Sequence, residues 1–429
     1  MLISKMKRLL VLFSSSFPFG QGETFLGAEF PFLEKAFDEV LVISNDISSP
    51  QTWPAGPTVS CRRVPYDFPF SGKVLALGGL LLPLVWREFA QIRRRHPGAG
   101  ARRVLSTILT SWAKAKKYAT LIADISASHP HDEVYAYSYW ANDAAVAVAL
   151  ARKRGLVQRA TSRAHGWDVY TSRPEVGFLP FRDFLATHLD TLAFVSADGR
   201  RFFENSVGRG RATLEVMPLG TPAVVSAPVG RSGFLTVVSC SGLIPLKRIG
   251  LMASAVMKVR NAIRWIHLGD GPERALVESI CSSPPRGVEV TLMGQIPHDQ
   301  VIETLRRLRP WALINVSATE GLPVSMMEAM SLGIPVIGTR VGGVPEIVNP
   351  GVNGYLLSAD PDPEEIVSTL NTLAGLSDSD FEVLARGAWQ TWNERFRADR
   401  NYTRFVDRLL GSGGDVDTPR LHSSGSGRP

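Results

Sequence analysis

Short, uninterrupted apolar runs alternate with longer helical patterns along this chain, and the alternation occurs twice. In the second half, apolar runs at 234–239, 264–268, 288–292, 311–316 and 334–338 flank helical stretches at about 248–261, 272–281, 298–308 and 324–332. Such runs read as strands buried on both faces, which only a parallel sheet covered by helices on each side provides. The first half repeats the pattern less regularly. Strands are expected at 8–13, 39–44, 132–137 and 159–164, and helices at 23–36 and 142–154. Residues 45–72, rich in Pro, Ser and aromatics, read as strand and loop; 73–125 reads as mostly helical, broken at Pro97-Gly98-Ala99-Gly100.

Pro218, Gly220, Pro222, Pro228, Gly230 and Gly233 form the strongest linker signal. The expected architecture is therefore α/β, with two doubly wound domains facing a cleft, where ligands of such folds bind. The expected division is 1–225, 226–395, a helix at about 396–410 packing back on the first domain, and a disordered Gly/Ser-rich tail at 411–429.

Composition narrows the class. With 429 residues, 45% hydrophobic and 20% charged, the chain can build real cores and is neither disordered nor collagen-like. Cys61, Cys240 and Cys281 are far apart in sequence, which gives no zinc spacing or redox pair and fits a reducing, cytoplasmic setting. The stretch Leu9–Phe13 after Lys5, Lys7 and Arg8 imitates a signal peptide, but its apolar core is shorter than the roughly 7–15 residues of an h-region. The net charge of +7 is localised: Arg87, Arg93, Arg94, Arg95, Arg102, Arg103, Lys114, Lys116 and Lys117 face only Glu88 over 87–117. Preceded by an apolar run at 74–86, this segment suits docking on anionic lipid. No nucleic-acid module accompanies the charge, so nucleic acid is not expected as a partner.

The richest chemical string is Thr319-Glu320-Gly321-Leu322-Pro323-Val324-Ser325-Met326-Met327-Glu328. It follows an apolar strand and opens a helix, so backbone N–H groups at the helix start favour ligand oxygens. Glu320 falls on the loop, and Glu328 about two turns later on roughly the same side. Each carboxylate there accepts hydrogen bonds from a diol. A single Glu in such a place is more often an ordinary complement to the helix dipole.

The string resembles the E-x7-E signature of the GT-B retaining glycosyltransferases of the family 4 group. Further matches follow in order: Phe17-Pro18-Phe19-Gly20-Gln21-Gly22-Glu23-Thr24-Phe25, Ala164-His165-Gly166-Trp167-Asp168, Leu246-Lys247-Arg248, Leu268-Gly269-Asp270-Gly271-Pro272, Gly294-Gln295-Ile296-Pro297, Gly342-Gly343-Val344-Pro345-Glu346 and Asn353-Gly354. In detail the chain looks most like bacterial exopolysaccharide and O-antigen sugar transferases, including those of colanic-acid type. The resemblance implies transfer from a nucleotide sugar to a lipid-linked oligosaccharide at the inner face of the cytoplasmic membrane. No cofactor or metal is implied. Its implied catalytic residues are Glu320, His165 and Lys247. Gly22, Arg248, Ile296, Gly321, Leu322 and Glu328 would bind the donor, and Glu23 and Asp168 would lie on the acceptor side, Asp168 either orienting His165 or touching the acceptor. Gly242 stands where the family usually has an Arg; either Arg248 compensates or the pocket holds the phosphates differently. The strings Asp360-Pro361-Asp362, Asp378-Ser379-Asp380 and Asp415-Val416-Asp417 read as structural. An epimerase or hydrolase of the same fold, or a non-catalytic assembly subunit, is the alternative.

Overall fold

The computed structural model describes residues 6–412 apart from 21, 24, 66–75, 209 and 225–227. The first sheet has seven strands: β1 (Arg8–Ser14), β2 (Glu39–Ser44), β3 (Val59–Arg63), β4 (Glu133–Ser138), β5 (Arg159–Ala164), β6 (Thr191–Phe194) and β7 (Thr213–Val216). Their order is β3-β2-β1-β4-β5-β6-β7, and every pairing is parallel. The second sheet has six: β8 (Thr236–Cys240), β9 (Ile263–Leu268), β10 (Val288–Leu292), β11 (Ala312–Asn315), β12 (Val336–Thr339) and β13 (Gly354–Leu357). Their order is β10-β9-β8-β11-β12-β13, again all parallel.

Strand β1 shows why the apolar runs are uninterrupted. Leu9, Val11 and Phe13 enter the core under the helices Pro83–Arg95, Ala101–Ser128 and Asp143–Lys153. Leu10 and Leu12 enter the opposite core, under the helices Leu26–Ala36 and Ala398–Leu410. Because side chains alternate across a strand, burial on both faces requires every position to be apolar.

Both α/β sheets agree with the doubly wound fold expected from the alternation. Strands β6, β7 and β13 were not anticipated; each has four residues, too few to display a period, and β7 and β13 are edge strands. The tail expected to be disordered, and with it Asp415 and Asp417, lies almost wholly outside the described residues.

The chain crosses between the two sheets twice, side by side. Thr221 N–H donates to Phe396 O (2.9 Å) and Ala398 N–H donates to Thr221 O (3.1 Å). Trp392 Nε1 donates to Thr221 Oγ1 at 2.8 Å, and Tyr402 Oη to Gly220 O at 3.0 Å. A Cβ on Gly220 would fall 2.7 Å from Ala398 Cα; the crossings lie backbone to backbone.

Candidate active site

In each sheet the winding reverses beside the strand that starts the domain, and that switch point opens a crevice at the carboxyl ends. In the second sheet the crevice lies between β8 and β11, so the loops after these strands, carrying Lys247 and Glu320, meet there. Lys247 Nζ donates to Glu320 Oε1 at 2.5 Å, and Asn315 Nδ2 donates to the same oxygen at 3.0 Å. Glu320 is buried. Burial alone would raise its pKa, but the charge and hydrogen bond of Lys247, with Ser317 and Asn315, outweigh this and hold the carboxyl below its ordinary range. The result is a charged carboxylate and an ammonium, ready-paired, on the floor of the cleft. Asn315 escaped sequence reasoning; a polar residue ending an apolar strand was its only signal.

The first domain presents the loops after β1, β4 and β5. Here the two residues expected on the acceptor side each accept backbone hydrogen bonds from the loops around them. Glu23 accepts from the N–H groups of Ser15 (3.0 Å), Ser16 (2.6 Å) and Phe17 (2.8 Å), and from Trp140 Nε1. Asp168 accepts from the N–H groups of Ala141 (2.9 Å), His165 (2.8 Å) and Gly166 (3.0 Å), with its side chain fully buried. A loop rich in unpaired N–H groups needs such an internal acceptor, and these carboxylates fill that need; Glu23 also lines a cavity with Phe17, Phe19, Thr52 and Trp53. Gly20, not Gly22, has the left-handed backbone (φ +61°); Gly22 is needed for space, since a Cβ there would lie 2.8 Å from Ser16 Oγ.

The His165 ring is packed among Trp140 (4.4 Å between centroids), Tyr139 (4.6 Å) and Phe25 (6.2 Å). Its Nδ1 stands 3.7 Å from Asp168 Oδ2, too far for a hydrogen bond. Among the described residues neither ring nitrogen has a hydrogen-bond partner. His165 and Gly321, the residue after Glu320, approach through backbone: a Cβ on Gly321 would fall 2.5 Å from His165 O. Gly321 is therefore a close-approach glycine that lets the two domains touch at the site.

Glu328 is buried on the helix Val324–Ser331, and burial pushes its carboxyl up to about 8. His298 Nδ1, which sequence reasoning did not single out, lies 3.4 Å from Glu328 Oε1. A cavity of about 180 Å³ opens beside them, lined by Cys240, Gly242, Leu268, Gln295, Ile296 and His298. Ile296 thus falls on its wall, and Leu322 is buried beneath the loop.

Arg248, the candidate to compensate for Gly242, is held by the protein on every side. Its Nε donates to Val316 O (2.7 Å), Nη1 to Asp360 (2.8 Å), and Nη2 to the carbonyls of Ser317 (3.0 Å) and Ala359 (3.1 Å). It is spent tying three loops together. Asp362 caps the helix Pro363–Ala374 through Glu365 N–H (2.8 Å), whereas Ser377 caps Asp378–Arg395, leaving Asp378 and Asp380 in its first turn. Among the described residues no three His, Cys, Asp or Glu side chains are grouped to hold a metal ion.

Residues 234–375 match the family model described as glycosyl transferases group 1. Residues 234–375 are a group 1 glycosyl transferase domain. Within it fall Lys247, Glu320 and Glu328, together with the cavity beside them. Among curated relatives, the gpi3 subunit of phosphatidylinositol N-acetylglucosaminyltransferase from Schizosaccharomyces pombe is 29% identical over 143 residues, 33% of this chain and 30% of that protein. The putative colanic acid biosynthesis glycosyltransferase WcaL of Escherichia coli is 29% identical over 173 residues, 38% of this chain and 41% of that protein. The matched stretch spans less than half the length of either relative. Over nearly the whole chain the likeness is one of fold. The apo lipopolysaccharide outer core galactosyltransferase WaaB superposes with TM-score 0.64 at 14% identity, covering 94% of this chain and 99% of that one. HepE of Anabaena, solved in complex with UDP-glucose, gives 0.60 at 14% identity, covering 95% and 100%. The group 1 domain and its partner sheet make a GT-B fold.

Proposed function

We propose that this chain is a retaining, metal-independent glycosyltransferase that moves a sugar from a nucleotide-sugar donor to a lipid-linked oligosaccharide in exopolysaccharide or O-antigen synthesis. The observation that carries the reading is the Lys247–Glu320 pair at 2.5 Å, set at the switch point of the group 1 domain. Lys247 would face the diphosphate and stabilise the charge that develops as it leaves. Glu320 and the backbone at Gly321 and Leu322 would hold hydroxyls of the sugar, and Glu328 the ribose diol. His165 would give a ring nitrogen to the sugar, a role consistent with two buried nitrogens lacking partners. Retention follows if the acceptor hydroxyl attacks from the face the diphosphate leaves, with a donor phosphate oxygen taking its proton. UDP-glucose in the HepE structure supports a nucleotide-sugar donor, and the likeness to WcaL supports a polysaccharide product.

The reading extends to a peripheral site on anionic membrane. No helix among the described residues is long and apolar enough to cross a bilayer. The support is the exposed Leu77, Leu81 and Trp86 beside the basic helix Pro83–Arg95; binding to anionic vesicles is the deciding measurement.

The test of the activity is a panel of nucleotide sugars scored first by thermal stabilisation, then by product analysis with lipid-diphosphate oligosaccharide acceptors. Transfer with retained anomeric configuration is expected, and Glu320→Gln and Lys247→Ala each abolish it. Free or isomerised sugar without acceptor would overturn transfer in favour of hydrolysis or epimerisation. Undiminished transfer by either variant would remove the assigned roles.

A further inference from the structure

Of the cations near the cleft, Lys247 is engaged by Glu320 and Arg248 by one carboxylate and three carbonyls. A third reaches the same place from the first domain. Arg173, on the loop after β5, donates from Nε to Thr319 Oγ1 across the cleft at 3.2 Å. Its Nη2 is buried and has no hydrogen-bond partner among the described residues. Glu320 is the charge that acts on it most strongly. A Cβ built on Gly166 would lie 3.2 Å from Arg173 Nη2 and 3.4 Å from Gly321 N. The partnerless guanidinium nitrogen and the backbone nitrogen at the start of the Glu320 loop therefore border one small space. Glycine at 166 keeps that space clear.

We propose that Arg173 is the second cation of the donor diphosphate site, supplied by the first domain and delivered across the cleft. This rests on the nucleotide-sugar reading above. A buried N–H without a partner favours whatever acceptor enters, and a guanidinium suits phosphate oxygens by charge and by planar geometry. The arrangement also makes good the absence of a charge at Gly242. Since Arg173 and Thr319 belong to different domains, the diphosphate then meets its full complement of positive charge only in the closed cleft.

The experiment uses the full chain and whichever of UDP, GDP or ADP most raises its melting temperature. Affinity for that diphosphate and for the parent nucleoside is measured by calorimetry in wild type, Arg173→Ala, Arg173→Lys and Arg173→Gln. Removing a charge-assisted bond predicts an affinity loss of about 10- to 100-fold for the diphosphate in Arg173→Ala, with nucleoside affinity unchanged and part of the loss recovered in Arg173→Lys. Equal losses for nucleoside and diphosphate would make Arg173 merely structural and overturn the proposal. So would unchanged diphosphate affinity, including the case where only the acceptor KM rises. Should Arg173→Ala not fold, Arg173→Lys against Arg173→Gln makes the same comparison. A wild-type chain that binds no nucleoside diphosphate overturns the nucleotide-sugar reading and this proposal together, whereas binding insensitive to residue 173 overturns this proposal alone.

Discussion

At the residue scale the two glutamates of one loop and helix have opposite electrostatic fates. Glu320 has Lys247 at 2.5 Å and stays charged; Glu328 is buried, with His298 Nδ1 3.4 Å from its carboxylate, and rises to about 8. The pH consequence follows from linkage. Below the ordinary pKa of 4.5, Glu328 is protonated folded or unfolded, and its contribution is fully present. As pH rises towards 8, the unfolded chain releases the proton while the folded one keeps it, so that contribution is lost. The total is on the order of a few kcal/mol. Glu328→Gln cannot titrate, so the melting temperature of wild type is expected to fall relative to it between pH 5 and pH 9. A difference constant over that interval would show that Glu328 is not held neutral. The sequence shows both carboxylates and their spacing but not their separate fates, because burial and the nearest cation come from loops far away in the chain.

At the scale of elements, the alternation of apolar runs and helices sufficed to read most strands and the break at 97–100, where the helices Pro83–Arg95 and Ala101–Ser128 part. What charge counting could not see is how that basic run is divided by folding. Arg95 pairs with Asp183 at 3.0 Å, Lys114 lies 4.0 Å from Asp143, and Arg93 caps its own turn at Pro97 O and Ala99 O. Arg87, Arg94 and Arg102 remain exposed, beside Leu81 and Trp86 at 86% and 47% exposure. Each basic residue near an anionic surface contributes about 1 kcal/mol. Arg87→Glu/Arg94→Glu/Arg102→Glu together are therefore expected to release the protein from phosphatidylglycerol vesicles in flotation, with Leu81→Ser/Trp86→Ser giving a comparable loss. Flotation of both variants at the wild-type level would reject the docking face. The carboxylates of Glu23 and Asp168 illustrate the same limit. A motif marks a residue that matters, but whether the carboxylate serves a ligand or its own loop depends on where the backbone N–H groups point.

For the whole molecule, the contacts between domains decide how the cleft works. Glu346 of the second domain accepts from the N–H groups of Ala197 (2.9 Å) and Asp198 (2.7 Å), at the start of the helix Ala197–Ser206 in the first. A carboxylate on a helix N-terminus contributes roughly 1 kcal/mol, and here it holds the lips of the cleft together. Glu346→Ala is expected to raise the radius of gyration of the unliganded protein in small-angle scattering, with Glu346→Gln intermediate; unchanged scattering would mean that the contact does not hold the cleft shut. This latch was not legible beforehand, since no local pattern links position 346 to position 197. Any opening of the cleft must bend the chain at the paired crossings, where Thr221 is bonded to Phe396 and Ala398. Two strands bonded edge to edge behave like adjacent pins of a door hinge: they resist sliding and twisting and leave one swing free. On such a pivot, displacement grows with distance from the pins. The walls next to Thr221 and Ala398 would then move least, and the Arg173–Thr319 contact, which joins the two domains, must break for them to swing apart.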